Sequence, residues 1–130
     1  CDGFGKENAE FMMIPMTKEK RWKYYLEKKD VFQNVSAVFA VSDYYAADLM
    51  HFLRKQGIGV PEEISVAGFD DTPICQMISP ALTTVRQDGA KRARTAIQKL
   101  QELKEGKETE RTIMLPVTLV ERESTRKISE

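Results

Sequence analysis

A surplus of charge is missing. The 130 residues hold 20 lysines and arginines against 20 aspartates and glutamates. A net charge of zero argues against a standing surface for nucleic acid, because domains that hold polyanions carry a basic excess. Long apolar runs are missing too. None approaches the roughly 20 residues that a membrane span requires, and there is no signal-peptide pattern. Cysteine is scarce: Cys1 and Cys75 fit no metal or redox spacing and read as free thiols in a reducing compartment. Histidine is scarcer. His51 stands alone on a helical stretch, with no Ser or Cys nucleophile placed near it, and reads as packing or surface. Phosphate loops, zinc spacings and nucleophile elbows are all lacking. Enzyme, metal and cofactor readings therefore have nothing to stand on, and the expectation is a non-enzyme. The chain has no internal repeat, is long enough for one domain, and begins at Cys1, which reads as a piece of a longer chain.

What is present centres on GVPEEISVAGFDD, residues 59–71. Gly59 and Pro61 end a preceding helix. Ile64 to Ala67 read as a buried strand, and Gly68 frees the backbone just before Asp70 and Asp71. In an open parallel sheet, ligands bind beyond the carboxyl ends of the strands. Two acceptor-rich side chains are delivered to that place.

Strand and helix alternate elsewhere. Phe11 to Ile14 is an apolar run ended by Pro15. Thr17 can cap a helix with Trp22, Tyr25 and Leu26 as its apolar stripe. Ala37 to Val41 reads as a buried strand, and Ser42 as the N-cap of a helix over 43–56. Ala46, Leu49, Met50 and Leu53 recur there at helical spacing; Arg54 and Lys55 suit its C-terminus, and Gly57 stops it. Leu82 to Val85 alternates like a strand. Asp88 can cap a third helix carrying Ala93, Ala96, Ile97, Leu100 and Leu103, ended by Gly106. Ile113–Leu115 and Val117–Val120 flank Pro116, which predicts a bend or a change of sheet. The charged stretch from Glu121 is expected to fray. The pattern predicts an α/β fold: an open, mostly parallel sheet with helices on both faces. The ends of its strands, near Met16–Thr17, Ser42–Asp43 and Phe69–Asp70–Asp71, then share one edge.

Each candidate has a bland alternative. A carboxylate at Asp70 or Asp71 suits ligand hydroxyls, whereas an Asp before Thr72–Pro73 can simply make an Asx turn. Asp43 sits in a first helical turn, where the dipole favours negative charge. Ser42 is a cap before it is a ligand contact. Trp22 with Tyr24 and Tyr25 could stack on a sugar, although helical spacing favours Trp22 and Tyr25 as core. Cys75, among Ile74, Met77 and Ile78, reads as a small apolar site.

Three stretches in order, GVPEEISVAGFDD, SPALTTVRQD (79–88) and LPVTLVEREST (115–125), resemble the C-terminal portion of LacI/GalR-family bacterial transcriptional regulators. AVFAVSDYYAADLM (37–50) is similar to the strand and helix that precede them. The resemblance covers about 35–125. It implies the type I periplasmic-binding-protein-like fold, with 1–85 and 117–125 in the C-terminal subdomain. The segment 88–115, with a helix at about 88–105 and a strand at about 112–115, would belong to an N-terminal subdomain that is mostly missing, with crossings near Val85–Arg86 and Pro116, and 126–130 would be a tail. The apolar faces of 88–115 would lack their usual partners. Asp70 matches the aspartate that commonly bonds ligand hydroxyls. Ser42 stands where many members carry an asparagine, and Asp43 matches an aspartate that is ligand-binding or structural. Gly89 stands where some sugar-responsive members place an aromatic.

The implied function is the ligand-sensing and dimerisation module of a cytoplasmic, sugar-responsive repressor, reaching operator DNA only through an upstream helix-turn-helix. Ligand contacts are expected at Asp70, Ser42 and Met16; Asp43, Phe69 and Trp22 are either ligand-binding or structural. A homodimer is expected through Ala47, Met50, His51, Arg54, Cys75, Met77 and Ile78. No cofactor, metal or membrane partner is expected. The competing reading is a solute-binding protein of a sugar ABC transporter, which shares the fold.

Overall fold

A computed structural model describes residues 9–127. The chain divides into two compact units, Cys1–Val35 and Ser36–Glu130. The first holds α1 (Lys18–Glu27) and α2 (Lys29–Asn34). Thr17 takes the N-cap position in an extended conformation, but its side chain makes no capping bond. The guanidinium of Arg21 does the local work instead, donating to the Met16 carbonyl at 2.8 Å and the Pro15 carbonyl at 3.3 Å. Arg21 and Tyr25, four residues apart on one face, are the buried positions of α1. Tyr25 meets Phe32 of α2 edge-on, with ring centroids 5.9 Å apart. The expected stripe is corrected: Trp22 is half-buried with Lys18 Nζ 5.3 Å from its ring, and Leu26 is 53% exposed. Phe32 accounts for this, because it covers the Tyr25 face and leaves Leu26 turned away. Phe11 to Ile14 forms no strand. A strand needs a neighbour for its backbone groups, and the described sheet does not include this run.

The second unit holds β1 (Ala37–Phe39), α3 (Asp43–Lys55), β2 (Ser65–Asp70), α4 (Ile74–Met77), β3 (Thr83–Gln87), α5 (Gly89–Lys104) and β4 (Val117–Val120). Its four-stranded sheet has the order β1-β2-β3-β4. The pairs β1–β2 and β2–β3 are parallel and β3–β4 is antiparallel, so the open sheet is mixed. The core is the seam between α3 and β2. Phe52 and Leu53 of α3 lie there fully buried, with Ile64, Val66 and Leu82. As the helical spacing predicts, Ala46, Leu49, Met50 and Leu53 all face inward. Gly57 then stops the helix with a φ of +76°, which a side chain would resist.

Three expectations are corrected here. Ala37–Val41 is not a buried strand: β1 ends at Phe39, lies at the sheet edge, and leaves Val41 72% exposed. Phe39, Phe69, Val85 and Leu119 share the face opposite α3 by register, and the Phe39 and Phe69 rings meet edge-on at 6.3 Å. Residues 112–115 are not a strand; only Val117–Val120, after Pro116, joins the ladder. Nor does the chain fray from Glu121. Ser124 is fully buried. Its hydroxyl donates to the Val66 carbonyl at 2.6 Å and accepts from the Thr83 N–H at 2.8 Å, so it stitches β2 to β3. A charged stretch can hide such a residue, because its neighbours Glu123 and Arg126 stay exposed while their backbone N–H groups bond to the Ala81 carbonyl and the Ser65 hydroxyl.

Candidate functional site

Phe39 of β1 lies opposite Ala67 of β2 in a parallel pair. Three residues further along each strand come Ser42 and Asp70, so both sit at the carboxyl edge, as the strand pattern predicts. Ser42 is the N-cap of α3, accepting from the Tyr45 N–H at 3.4 Å. Asp70 ends β2 exposed, with φ at 109°. Its Oδ1 accepts from Gln87 Nε2 at 2.7 Å. Its other oxygen takes no bond among the described residues. Non-glycine residues rarely hold such a φ, and strained backbone of this kind gathers at functional sites.

The neighbouring carboxylates do different jobs. Asp43 is fully buried and its oxygens are occupied. Oδ2 accepts from the Thr72 N–H at 2.7 Å and the Thr72 hydroxyl at 2.9 Å, and Oδ1 from the Thr84 hydroxyl at 2.5 Å. It pins the start of α3 to the loop after β2 and to β3, so the geometry favours the structural alternative. Gly68 makes room for it: a Cβ there would lie 2.5 Å from Asp43 Oδ1. Asp71 also has a positive φ, at 55°. Its side chain is 8% exposed and lies 2.6 Å from both Arg86 Nε and Arg122 Nη2. Burial alone would raise its pKa; the hydrogen bonds and charges of Arg122 and Arg86 outweigh that and hold it below the usual 3.8. Arg122 also donates to the Leu82 carbonyl at 2.8 Å. Of the three carboxylates, only Asp70 faces outward.

The periplasmic binding protein-like domain model matches residues 5–125. This chain belongs to that family. Among curated relatives, the NTD biosynthesis operon regulator NtdR of Bacillus subtilis is 34% identical over 109 residues, 82% of this chain and 33% of its own. A LacI family transcriptional regulator from Enterococcus faecium, solved with bound ribose, is 27% identical with a TM-score of 0.71. The match spans 89% of this chain and 43% of that one. The lac repressor dimer bound to operator and the anti-inducer ONPF is 29% identical at a TM-score of 0.71, over 86% of this chain and 38% of that one. This chain therefore spans about a third of the length of the curated relative and roughly two fifths of the structural ones. These relatives are transcriptional regulators of the LacI/GalR family, and the part they share with this chain lies in the periplasmic-binding-protein-like domain.

On this family scaffold, a second feature lies between α3 and the turns around it. Ala47, Met50, His51, Arg54 and Ile78 line a groove of about 520 Å³ with Pro80. Five of the seven residues expected at a dimer contact thus share one concavity. Met77 stands beside it, 81% exposed. Cys75 is corrected: it is fully buried and has no surface to offer a partner. Burial first, then its hydrogen bond to Asp43 and that group's charge, push the thiol up to about 11. Met16 and Trp22 belong to the first unit, Met16 strongly exposed and Trp22 half-buried. Phe69 is half-buried against Phe39. Cys1 lies outside the described residues. Sequence reasoning missed Gln87, Arg86 and Arg122, whose partners are set by β-sheet register and by contacts up to 51 residues away. No helix among the described residues is long and apolar enough to cross a membrane.

Proposed function

We propose that this chain forms one wall of the effector pocket, and the dimer surface, of a cytoplasmic sugar-responsive repressor. The observation that carries the reading is Asp70: an exposed carboxylate at the carboxyl edge of the parallel strands, held in a strained backbone conformation with one oxygen open. Such a group accepts from paired sugar hydroxyls. Ser42 shares its edge and supplies a second, shorter contact. Phe69, half-buried on the same strand as Asp70, would close the floor. Gly89 leaves open space, since a Cβ there would meet nothing within 4 Å. The segment 88–115 would complete the opposite subdomain, in keeping with an α5 that buries no residue. Operator binding would rest on the rest of the regulator.

Calorimetry on the full regulator tests this with a panel of pentoses and hexoses, beginning with D-ribose. Asp70→Asn is expected to weaken the binding sugar by at least about tenfold, the scale of a charge-assisted hydrogen bond. Equal affinity in wild type and variant would refute the assignment.

A further inference from the structure

At the carboxyl edge a relay of side chains runs from α5 to Asp70. Arg92, in the first turn of α5, donates through Nη1 to Gln87 Oε1 at 3.2 Å. Gln87, the last residue of β3, donates through Nε2 to Asp70 Oδ1 at 2.7 Å. The direction is fixed by chemistry. A guanidinium only donates and an ionised carboxylate only accepts, so the amide between them has one way to face. No other residue type of that length offers a donor to one side and an acceptor to the other.

The surrounding charges do not substitute for it. Arg86, opposite Asp70 in the ladder, turns its guanidinium to Asp71. Asp71 is held by Arg86 and Arg122, and Asp43 is saturated by Thr72 and Thr84. Gln87 is therefore the group that orients the Asp70 carboxylate, and Arg92 is the group that orients Gln87.

We propose that Gln87 is a positioning residue that aims Asp70 at the effector, and that Arg92 makes this aim depend on where α5 lies. The inference rests on the reading of Asp70 as the ligand acceptor. It adds a regulatory consequence: displacement of α5 releases Gln87, and the pocket loses its oriented acceptor.

The test is calorimetry on the full regulator with D-ribose as probe, at pH 7.5 and pH 5, comparing wild type with Asp70→Asn, Gln87→Leu, Gln87→Glu and Arg92→Leu. Gln87→Leu is expected to weaken binding by at least about tenfold at both pH values, the worth of one hydrogen bond to a charged group, and Arg92→Leu by less. Gln87→Glu sets a second carboxylate against Asp70. It is expected to bind poorly at pH 7.5 and to regain affinity relative to wild type at pH 5, where one proton relieves the repulsion. A merely structural role for Gln87 would give equal loss at both pH values for Gln87→Glu, and that result overturns the proposal. So does wild-type affinity in both Gln87 variants beside a weakened Asp70→Asn, which leaves the ligand reading intact. An unimpaired Asp70→Asn, or a wild type that does not bind D-ribose, removes the reading itself and the proposal with it.

Discussion

Asp70 and Asp71 are adjacent and chemically identical, yet one faces outward and the other lies between two guanidinium groups. The sequence shows two carboxylates after a strand and nothing that separates them. The separation comes from Arg86, 15 residues away, and Arg122, 51 residues away. Asp71 then acts as a clasp, and its removal is expected to destabilise. Asp71→Asn should cost about 2 kcal/mol at neutral pH in urea denaturation, the scale of lost charge-assisted bonds. Because its folded pKa is lowered from 3.8, the stabilisation is complete above that value and is lost as pH falls through the folded value. The gap between wild type and variant should therefore be constant above about pH 5 and shrink below about pH 4. Cys75 gives a chemical check on burial. With its thiol pushed up to about 11 and no exposed surface, it should resist alkylation at pH 8 until the protein unfolds. Rapid labelling of the native protein would place it at the surface.

Helix α3 and helix α5 look alike in the sequence: each has an acceptor cap, an apolar stripe and a terminal glycine. Both caps form, Ser42 to the Tyr45 N–H and Asp88 to the Lys91 N–H. The stripes diverge. That of α3 closes on β2, whereas α5 buries none of its residues. Periodicity states that a face is apolar; it does not state what covers it. The same limit explains the misread strands. Phe11–Ile14 and Ile113–Leu115 have strand composition, but a strand is a pairing, and the described sheet pairs neither. The strands that were legible, β2 and β3, lie in the middle of the sheet: Ile64–Ala67 reads as a short apolar run, and Leu82–Val85 alternates with the period of a strand. The contrast is measurable by mutation. Leu53→Ala should cost about 2–5 kcal/mol, as for a filled core site. Leu100→Ala, at a position 66% exposed, should change stability by less than about 0.5 kcal/mol. A large loss at Leu100 would mean that α5 is covered in solution.

The lac repressor relative was solved as a dimer, and the face of this molecule best suited to a two-fold contact is the one that joins α3 to α4. The groove there is lined by Ala47, His51 and Arg54 from α3 and by Ile78 from the turn after α4. Met77 projects beside it, 81% exposed. A large flexible side chain next to a groove of about 520 Å³ is the complement that a self-matching surface needs, because in a two-fold contact one copy's Met77 can enter the other's groove while the reverse occurs. Small Ala47 leaves depth for it, and the basic Arg54 suits a rim. The burial of Cys75 sharpens the expectation, since the contact must run through Met77 and Ile78 without it. Replacing Met77 and Ile78 by aspartate would force two unpaired carboxylates into the contact, at several kcal/mol, on the order of a whole weak interface. Sedimentation velocity is expected to show a dimer for the wild-type chain at tens of micromolar, roughly the range of a weak contact, and a monomer for the double variant. Two controls locate the effect. Leu103→Asp on exposed α5 should leave the dimer intact, and the double variant should keep the wild-type far-ultraviolet dichroism. A wild-type chain that sediments as a monomer at that concentration, or a Leu103→Asp variant that dissociates, would remove α3 and α4 as the contact.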